Sequence, residues 1–298
     1  TTRDAILSRQ APPSGGFPGL QLFNAGRVDR NGFEWLIRAE PLRTRNVSLD
    51  LTLNGSTNGY EIRDMGGNQV VSLSAQIQHV VGYAPGAWWD RRVVSATREA
   101  NGTVPRASMQ CDDGRGGTTP CYNAAGALVA PRVFLGNSVP TREGSLGAGL
   151  TLFRNFRVNS FLDYRGGYSK LDGNRRVRCN LFFLCRENYF PNEFDAVTLA
   201  ETQNGTAFTY NLIQDASFVR FRELSLSWTT PARFARALRA SSATITIAGR
   251  NLGLWTEYGG VEPEASFNGG TRGGAFGQWE QNVLPQLRTF VTTINLNF

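Results

Sequence analysis

The chain has 298 residues with 33 Gly, 18% charged and 11% aromatic residues, a balance that argues against a helical protein. Its formal charge is +7, but Lys170 is the single lysine, so 30 of the 31 basic residues are Arg. These are scattered, short groups such as Arg175-Arg176-Val177-Arg178 apart, and no nucleic-acid partner is expected.

No run of 18 apolar residues occurs, which excludes a transmembrane helix. A membrane β-barrel is not excluded. Its apolar residues stand at every second position, so the mean hydropathy stays near neutral or below, as the value of −0.28 does here.

In chain order, the opening stretch TTRDAILSRQ reads as the end of a strand near 1–8, with no Met or leader, as expected of a piece of a longer protein. Further strands are predicted near 30–41, 46–58, 75–83, 87–94, 143–153, 156–167, 216–229, 242–255 and 286–298, about ten in all. Several alternate cleanly. Phe33, Trp35 and Ile37 share a face, with Glu34, Arg38 and Glu40 mostly on the other. Val47, Leu49, Leu51 and Leu53 oppose Ser48, Asp50, Thr52 and Asn54. Phe156, Val158, Leu162 and Tyr164 oppose Arg157, Asn159, Asp163 and Arg165. Strands that are half polar place each sheet face in a different solvent.

The connections alternate short and long. Short links near 41–45 and 153–156 are set between Gly-, Asn- and Arg-rich stretches at 59–75, 95–143, 168–215 and 257–286. Compact domains rarely carry unstructured links beyond about 15 residues. Short turns at one end and long loops at the other is the arrangement of an outer-membrane barrel, with the turns and the C-terminus periplasmic and the loops extracellular. One link breaks the all-β pattern: TTPARFARALRAS predicts a short helix with Thr230 as N-cap, Pro231 at its first position, and Phe234 and Leu238 on one face. Tyr83, Trp88, Trp89, Trp228 and Trp255 fall at strand ends, where a barrel sets its aromatic girdles, although aromatics favour any strand.

The four cysteines form two close pairs, Cys111/Cys121 and Cys179/Cys185. Neither has the spacing of a zinc site, so two local disulfides in an oxidising compartment are expected, each fixing a loop by about 2–3 kcal/mol; a cytosolic location would leave them reduced. No catalytic constellation stands out. His79 is the single histidine and reads as structural. Asp112 and Asp113 in CDDGRGGTTPC lack the alternating carboxylates of a calcium loop. Glu262 and Glu264 in VEPEAS read as a loop anchor and not as a glycosidase pair. No enzyme activity, metal or cofactor is expected.

Five motifs in order carry a family resemblance. NAGRVDRNGFEWLI (24–37), HVVGYAPGAWWDRRV, LGNSVPTREGSLGAGLTLFRNFRVNSFLDYRGG, SFVRFRELSLSWTTP followed by TITIAGRNLGLWTEYGGVEPEA, and LPQLRTFVTTINLNF resemble the C-terminal barrel part of TonB-dependent outer-membrane transporters of the SusC/RagA-like branch. The resemblance implies a barrel of about 22 strands, of which this chain holds about the last ten as an antiparallel sheet. It implies a plug domain and a TonB box, both absent from 1–298. Import of nutrients such as oligosaccharides or peptides would be coupled to the TonB complex, beneath a SusD-type surface lipoprotein. The Cys-bearing loops depart from the general pattern.

On this reading Glu34, Arg38, Glu40, Asp50, Arg157, Asp163 and Arg165 line the lumen. Phe290, Ile294, Leu296 and Phe298 face outer-membrane lipid, and the terminal aromatic is read by the barrel-assembly machinery. The last strand is then the native end and the first strand the cut; ten strands alone leave two open edges that lipid cannot satisfy. Competing readings are a plugless porin or adhesin, separated by the presence of an upstream plug, and a secreted glycan-binding β-sandwich, whose apolar faces would be packed on each other.

Overall fold

The computed structural model describes residues 1–4, 6–10, 20–24, 26–204, 207–237, 239–266 and 279–298. Its main feature is an eight-stranded antiparallel sheet, called the wall below. The strands are β1 (Thr2–Arg3), β2 (Arg27–Arg43), β3 (Val47–Asp64), β4 (Arg142–Leu152), β5 (Phe156–Gly166), β6 (Phe218–Thr229), β7 (Ser242–Thr256) and β8 (Thr289–Asn297). They are neighbours in that order, and among the described residues β8 does not pair back to β1 or β2, so the sheet is open. A separate hairpin pairs Ile6–Gln10 with Leu20–Asn24, so only Thr2–Arg3 of the strand expected near 1–8 joins the wall.

The period-2 pattern becomes two chemically distinct faces because the register runs straight across. Leu49, Leu150, Val158, Leu226, Ile247 and Thr292 stand side by side. One residue along each strand, Ser48, Thr151, Arg157, Ser227, Thr246 and Thr293 form the adjacent row on the opposite face. The apolar face is uncovered: Ile247 is 53% exposed and Phe290 74%.

Short connections, 44–46, 153–155 and 230–241, all lie at one end of the wall; long ones, 65–141, 167–217 and 257–288, lie at the other. Phe153 and Arg154 both adopt left-handed backbone (φ 50° and 64°), which reverses the chain within three residues. The helix of the third short link runs Ala232–Ala237, one residue later than expected. Pro231 supplies the carbonyl that the Phe234 amide reaches (2.9 Å), and the Thr230 amide instead donates to Ala243 of β7 (2.9 Å). Thr230 is thereby tied to the strand and does not cap with its hydroxyl. Leu238 lies outside the described residues.

The long connections fold on one another into a cap. Ala87–Asp90 pairs with Ile77–Val80 and Val133–Gly136 in a small sheet separate from the wall. The strands expected in the wall near 75–83 and 87–94 are therefore cap elements; the links expected at 59–75 and 95–143 merge into a single 65–141 excursion, with 59–64 belonging to β3 and 142–143 to β4. Burial explains the correction. Trp88 is 0% exposed, packs with Ile77, Leu171 and Trp279, and donates its indole N–H to the Ser169 carbonyl (2.7 Å). A second cap core joins Val93, Met109, Leu199 and Phe208 with the Cys111–Cys121 disulfide. Trp88 and Trp89 are thus cap core and not girdle; Trp255 is exposed, and Trp228 stacks on Phe156 (6.1 Å). The helix Ala196–Gln203 closes that core, started by Asp195, whose carboxylate accepts the amides of Val197 and Thr198 (2.9 Å each).

Candidate functional site

Charge concentrates on the polar face at its long-loop end. Asp163 of β5 stands opposite Arg220 of β6, and one step away Arg165 faces Glu143 of β4 (3.5 Å). Between Phe221 and Glu223 the register slips, leaving Arg222 as an extra residue. A bulge re-aims the side chain it carries. The Arg222 guanidinium reaches Asp163 (2.6 Å) and both oxygens of Glu264 (2.5 and 2.7 Å).

Glu264 comes from the last long connection, whose segment 257–266 lies over this part of the wall. Its neighbour Glu262 is 1% exposed and pairs with Arg220, 3% exposed; Arg220 Nε also lies 2.9 Å from Glu264. Lys170 holds the same segment from the far side. Its ammonium donates to the carbonyls of Glu262 (3.3 Å), Pro263 (2.9 Å) and Ala265, and the Tyr168 hydroxyl donates to Pro263 (3.1 Å). Glu280 accepts the amides of Val261 (2.9 Å) and Glu262 (3.1 Å). Gly260 is required here: a Cβ would stand 2.4 Å from the Tyr258 ring and 2.5 Å from Glu280.

Burial pulls the Lys170 ammonium down to about 8, although Glu280, Glu262 and Glu264 favour its charge. Burial pushes the Glu264 carboxyl up, but the Arg222 hydrogen bond and the charges of Arg222, Arg220 and Arg165 outweigh it and hold that group below the usual range. Every charge in this lock therefore has an opposite charge or a row of carbonyls against it, as buried charges require.

The arrangement is suited to fixing a loop, not to proton transfer. Glu262 and Glu264 are both engaged by arginines, in keeping with the anchor role expected for VEPEAS. Asp113 accepts the amides of Arg115 (2.7 Å) and Gly117 (2.9 Å), and Asp112 that of Gly114 (2.8 Å), so the acidic loop uses its carboxylates on its own turn. His79 Nδ1 accepts the Gly86 amide (2.9 Å), and burial lowers the imidazole pKa. Cys111 is bonded to Cys121 and Cys179 to Cys185, with Cα atoms 5.0 and 4.9 Å apart.

The register places Glu34, Arg38, Asp50, Arg157, Asp163 and Arg165 on one face. They are not one cluster. Asp50 and Arg157 form their own pair (2.9 Å), while Asp163 and Arg165 join the lock. Glu40 departs from the row: it lies in a bulge between Ala39 and Leu42, beside Pro41, and pairs with Arg43 (3.3 Å). Beside the lock an open groove of about 390 Å³ runs along the polar face past Glu34, Asn54, Ser56, Glu143 and Phe161. Sequence reasoning missed Arg220, Arg222, Lys170 and Glu280. The one local signal was FVRFREL, where Arg222 and Glu223 stand side by side and interrupt a strand's alternation.

The described residues thus form a mostly antiparallel β structure: an open wall with one apolar and one polar face, turned tightly at one end and capped by long loops at the other. No family model matches the sequence. The whole chain aligns with TonB-dependent receptor P26 of Formosa agariphila at 23% identity, covering 32% of that protein. It aligns with TonB-dependent receptor P3 of the same organism at 20%, covering 31%. Among solved structures, the RagAB peptide importer in its open-open state superposes with a TM-score of 0.76 over 99% of this chain and 31% of that one, at 20% identity. The RagAB peptide transporter gives 0.74 at 19% identity. The chain is thus similar throughout in sequence to two TonB-dependent receptors and in fold to the RagAB importer, and it spans about a third of the length of the curated relatives it matches.

Proposed function

We propose that residues 1–298 are the C-terminal wall of a TonB-dependent importer in the bacterial outer membrane, in a barrel of about 22 strands. The plug domain and TonB box lie in sequence outside this chain. The protein carries large solutes such as peptides or oligosaccharides by moving its plug, and it is not an enzyme. A SusD-like surface lipoprotein covers the extracellular loops, and the TonB complex supplies energy from the periplasmic side.

The observation that carries this reading is the pairing of two asymmetries. One face of the wall is apolar and uncovered, and the connections are short at one end and long at the other. A β-sandwich would cover the apolar face with a second sheet, so its exposure favours lipid as the neighbour. The polar face, with Glu34, Arg38, Asp50, Arg157, Asp163 and Arg165, then lines the lumen, and segment 257–266 is fixed inward over it by the lock. Glu40, on its bulge, is assigned to the rim of that wall. Phe290, Ile294, Leu296 and Phe298 form the lipid-facing row of the last strand and the signal read by the assembly machinery. The C-terminus is periplasmic and the cap extracellular, where oxidising conditions keep both disulfides.

The test is made on the full-length gene. The folded protein is expected in the outer membrane with heat-modifiable gel mobility, and uptake of its solute is expected to stop when TonB is removed. Uptake that persists without TonB, or upstream sequence lacking a plug of about one ordinary domain, would favour a passive porin or an adhesin. Deleting Phe298 is expected to lower surface levels more than synthesis.

A further inference from the structure

The 167–217 connection carries a feature that neither wall nor lock uses. The Cys179–Cys185 bond closes a ring around Asn180, Leu181, Phe182, Phe183 and Leu184. Asn180 turns inward and is buried, while the next four side chains turn outward, each 50–65% exposed. Tyr189 and Phe190, just after the ring, are exposed too. Taking about 200 Å² for each large side chain, these six present roughly 700 Å², close to the ~800 Å² that one partner contributes to a standard protein interface. Runs of four exposed apolar residues are unusual on a surface that meets only water.

The ring is held in shape. A π-helical turn, Arg176–Leu181, leads into it, and the amides of Phe182 and Leu184 donate to Val177 (3.0 Å) and Arg178 (2.8 Å). Phe183 is left-handed (φ 55°), a conformation bulky residues rarely take and keep only where the surroundings impose it. The base is braced as well: Arg175 pairs with Glu187, and Arg176 stands over the Trp279 ring (5.0 Å).

The surroundings carry both signs with a slight basic excess: from Asp172 to Glu193 there are four arginines and three carboxylates, Asp172, Glu187 and Glu193. Arg178 and Arg186 are exposed beside the apolar tip; Arg186 shares its charge with Glu193 (2.6 Å). The footing of the ring is on the polar side of the wall. Asn174 donates to Glu280 (2.9 Å), Glu280 accepts the Glu262 amide, and Glu262 pairs with Arg220. The base of the ring is therefore tied to the lock, on the side away from the apolar face assigned to lipid. A tip fixed in advance favours an occupant of fixed shape, since little ordering cost remains to be met on binding.

We infer that the Leu181–Leu184 ring is a docking knob for a protein that offers an apolar cleft with carboxylates at its rim, the surface lipoprotein lid of the proposed reading, on which this inference rests. Leu181, Phe182, Phe183 and Leu184 fill the cleft, and Arg178 and Arg186 meet its acidic rim. Truncating the aromatic anchors of such an interface removes much of its affinity.

The experiment uses full-length protein in intact cells, with a photoreactive benzoyl-phenylalanine in place of Phe182. Irradiation is expected to link the knob to the lipoprotein. In parallel, the double variant Phe182→Ser, Phe183→Ser is expected to co-purify about tenfold less lipoprotein, equivalent to about 1.4 kcal/mol, at an unchanged level of heat-modifiable protein. Photoproducts confined to lipid or to the protein's own chain would overturn the inference. So would full lipoprotein recovery with the double variant, while leaving the importer reading intact. Wild-type protein that retains no lipoprotein would overturn the lid assignment itself, and the knob's partner with it.

Discussion

The wall and the cap invert the usual division between strand and loop. The wall holds the long regular strands, yet its largest apolar side chains, such as Phe33, Ile247 and Phe290, are exposed. The cap is built from connections, yet Trp88, Met109, Leu199 and Phe208 are fully buried in it. On the proposed reading, the difference follows from the surroundings each part is built for. A wall between lipid and a watery lumen needs no core of its own, because hydrogen bonds along its ladders satisfy the backbone and the solvent on each side satisfies the side chains. A cap in water on every side must bury apolar surface to be ordered at all, and it adds disulfides where that surface is small.

The lock is where the two regions are joined, and breaking it is expected to have the largest effect. Arg220→Ala leaves Glu262 buried without its counter-charge, which costs about 3–5 kcal/mol locally. Amide hydrogen exchange over 261–265 in the full-length protein is expected to accelerate, while exchange in β4 and β5 stays slow. Equal acceleration throughout would mean that cap and wall unfold as one unit.

A second variant pair addresses the wall alone. Ile247→Arg on the apolar face is expected to cost about 2–4 kcal/mol in a bilayer, and Thr246→Arg on the opposite face much less. Urea midpoints of the membrane-inserted protein check this, and equal losses would remove the distinction between the faces. A third change acts on the cap alone. Cys111→Ser with Cys121→Ser is expected to weaken the cap core around Met109 and Phe208 by about 2–3 kcal/mol. Faster proteolysis within 65–141, with unchanged heat-modifiability, is the expected readout.

A further effect depends on pH. Burial pushes the Glu201 carboxyl up to about 8, with the nearby Asp90 carboxylate adding to it, and burial raises Asp90 in the same direction. Between the ordinary glutamate range and about 8 the folded cap therefore binds more protons than the unfolded chain. Cap stability falls as pH rises through that window and levels off above it. Glu201→Gln is expected to flatten the dependence, measured as protease resistance of the helix Ala196–Gln203 from pH 5 to 9; an unchanged slope would assign it to other groups.

The wall was legible in the sequence because one apolar and one polar face impose strict alternation. Val47–Asn54 and Phe156–Arg165 could be assigned face by face, and the alternation of short and long links followed. The cap was not legible, because a short apolar run with tryptophans, as in GAWWD, reads alike whether it lines a membrane interface or fills a core. What settled Trp88 was a contact to Ser169, 81 residues away. The lock was half legible. Glu262 and Glu264 read as an anchor, but their partners lie 42 residues earlier on a bulge and on the lone lysine, and no local pattern records such pairings. Glu40 shows the converse failure: period 2 set it beside Arg38 until Pro41 and the bulge broke the row.

The central claim is that the two faces of the wall meet different solvents. Nitroxide labels on single cysteines introduced at Ile247, Phe290, Thr246 and Thr293 of the membrane-inserted full-length protein, with the native disulfides intact, test it directly by collision with molecular oxygen and with a water-soluble nickel chelate. Labels at 247 and 290 are expected to collide preferentially with oxygen, which concentrates in lipid, and labels at 246 and 293 to show a lower ratio of oxygen to nickel collisions. The same ratio on both faces, or the reverse order, would contradict the account.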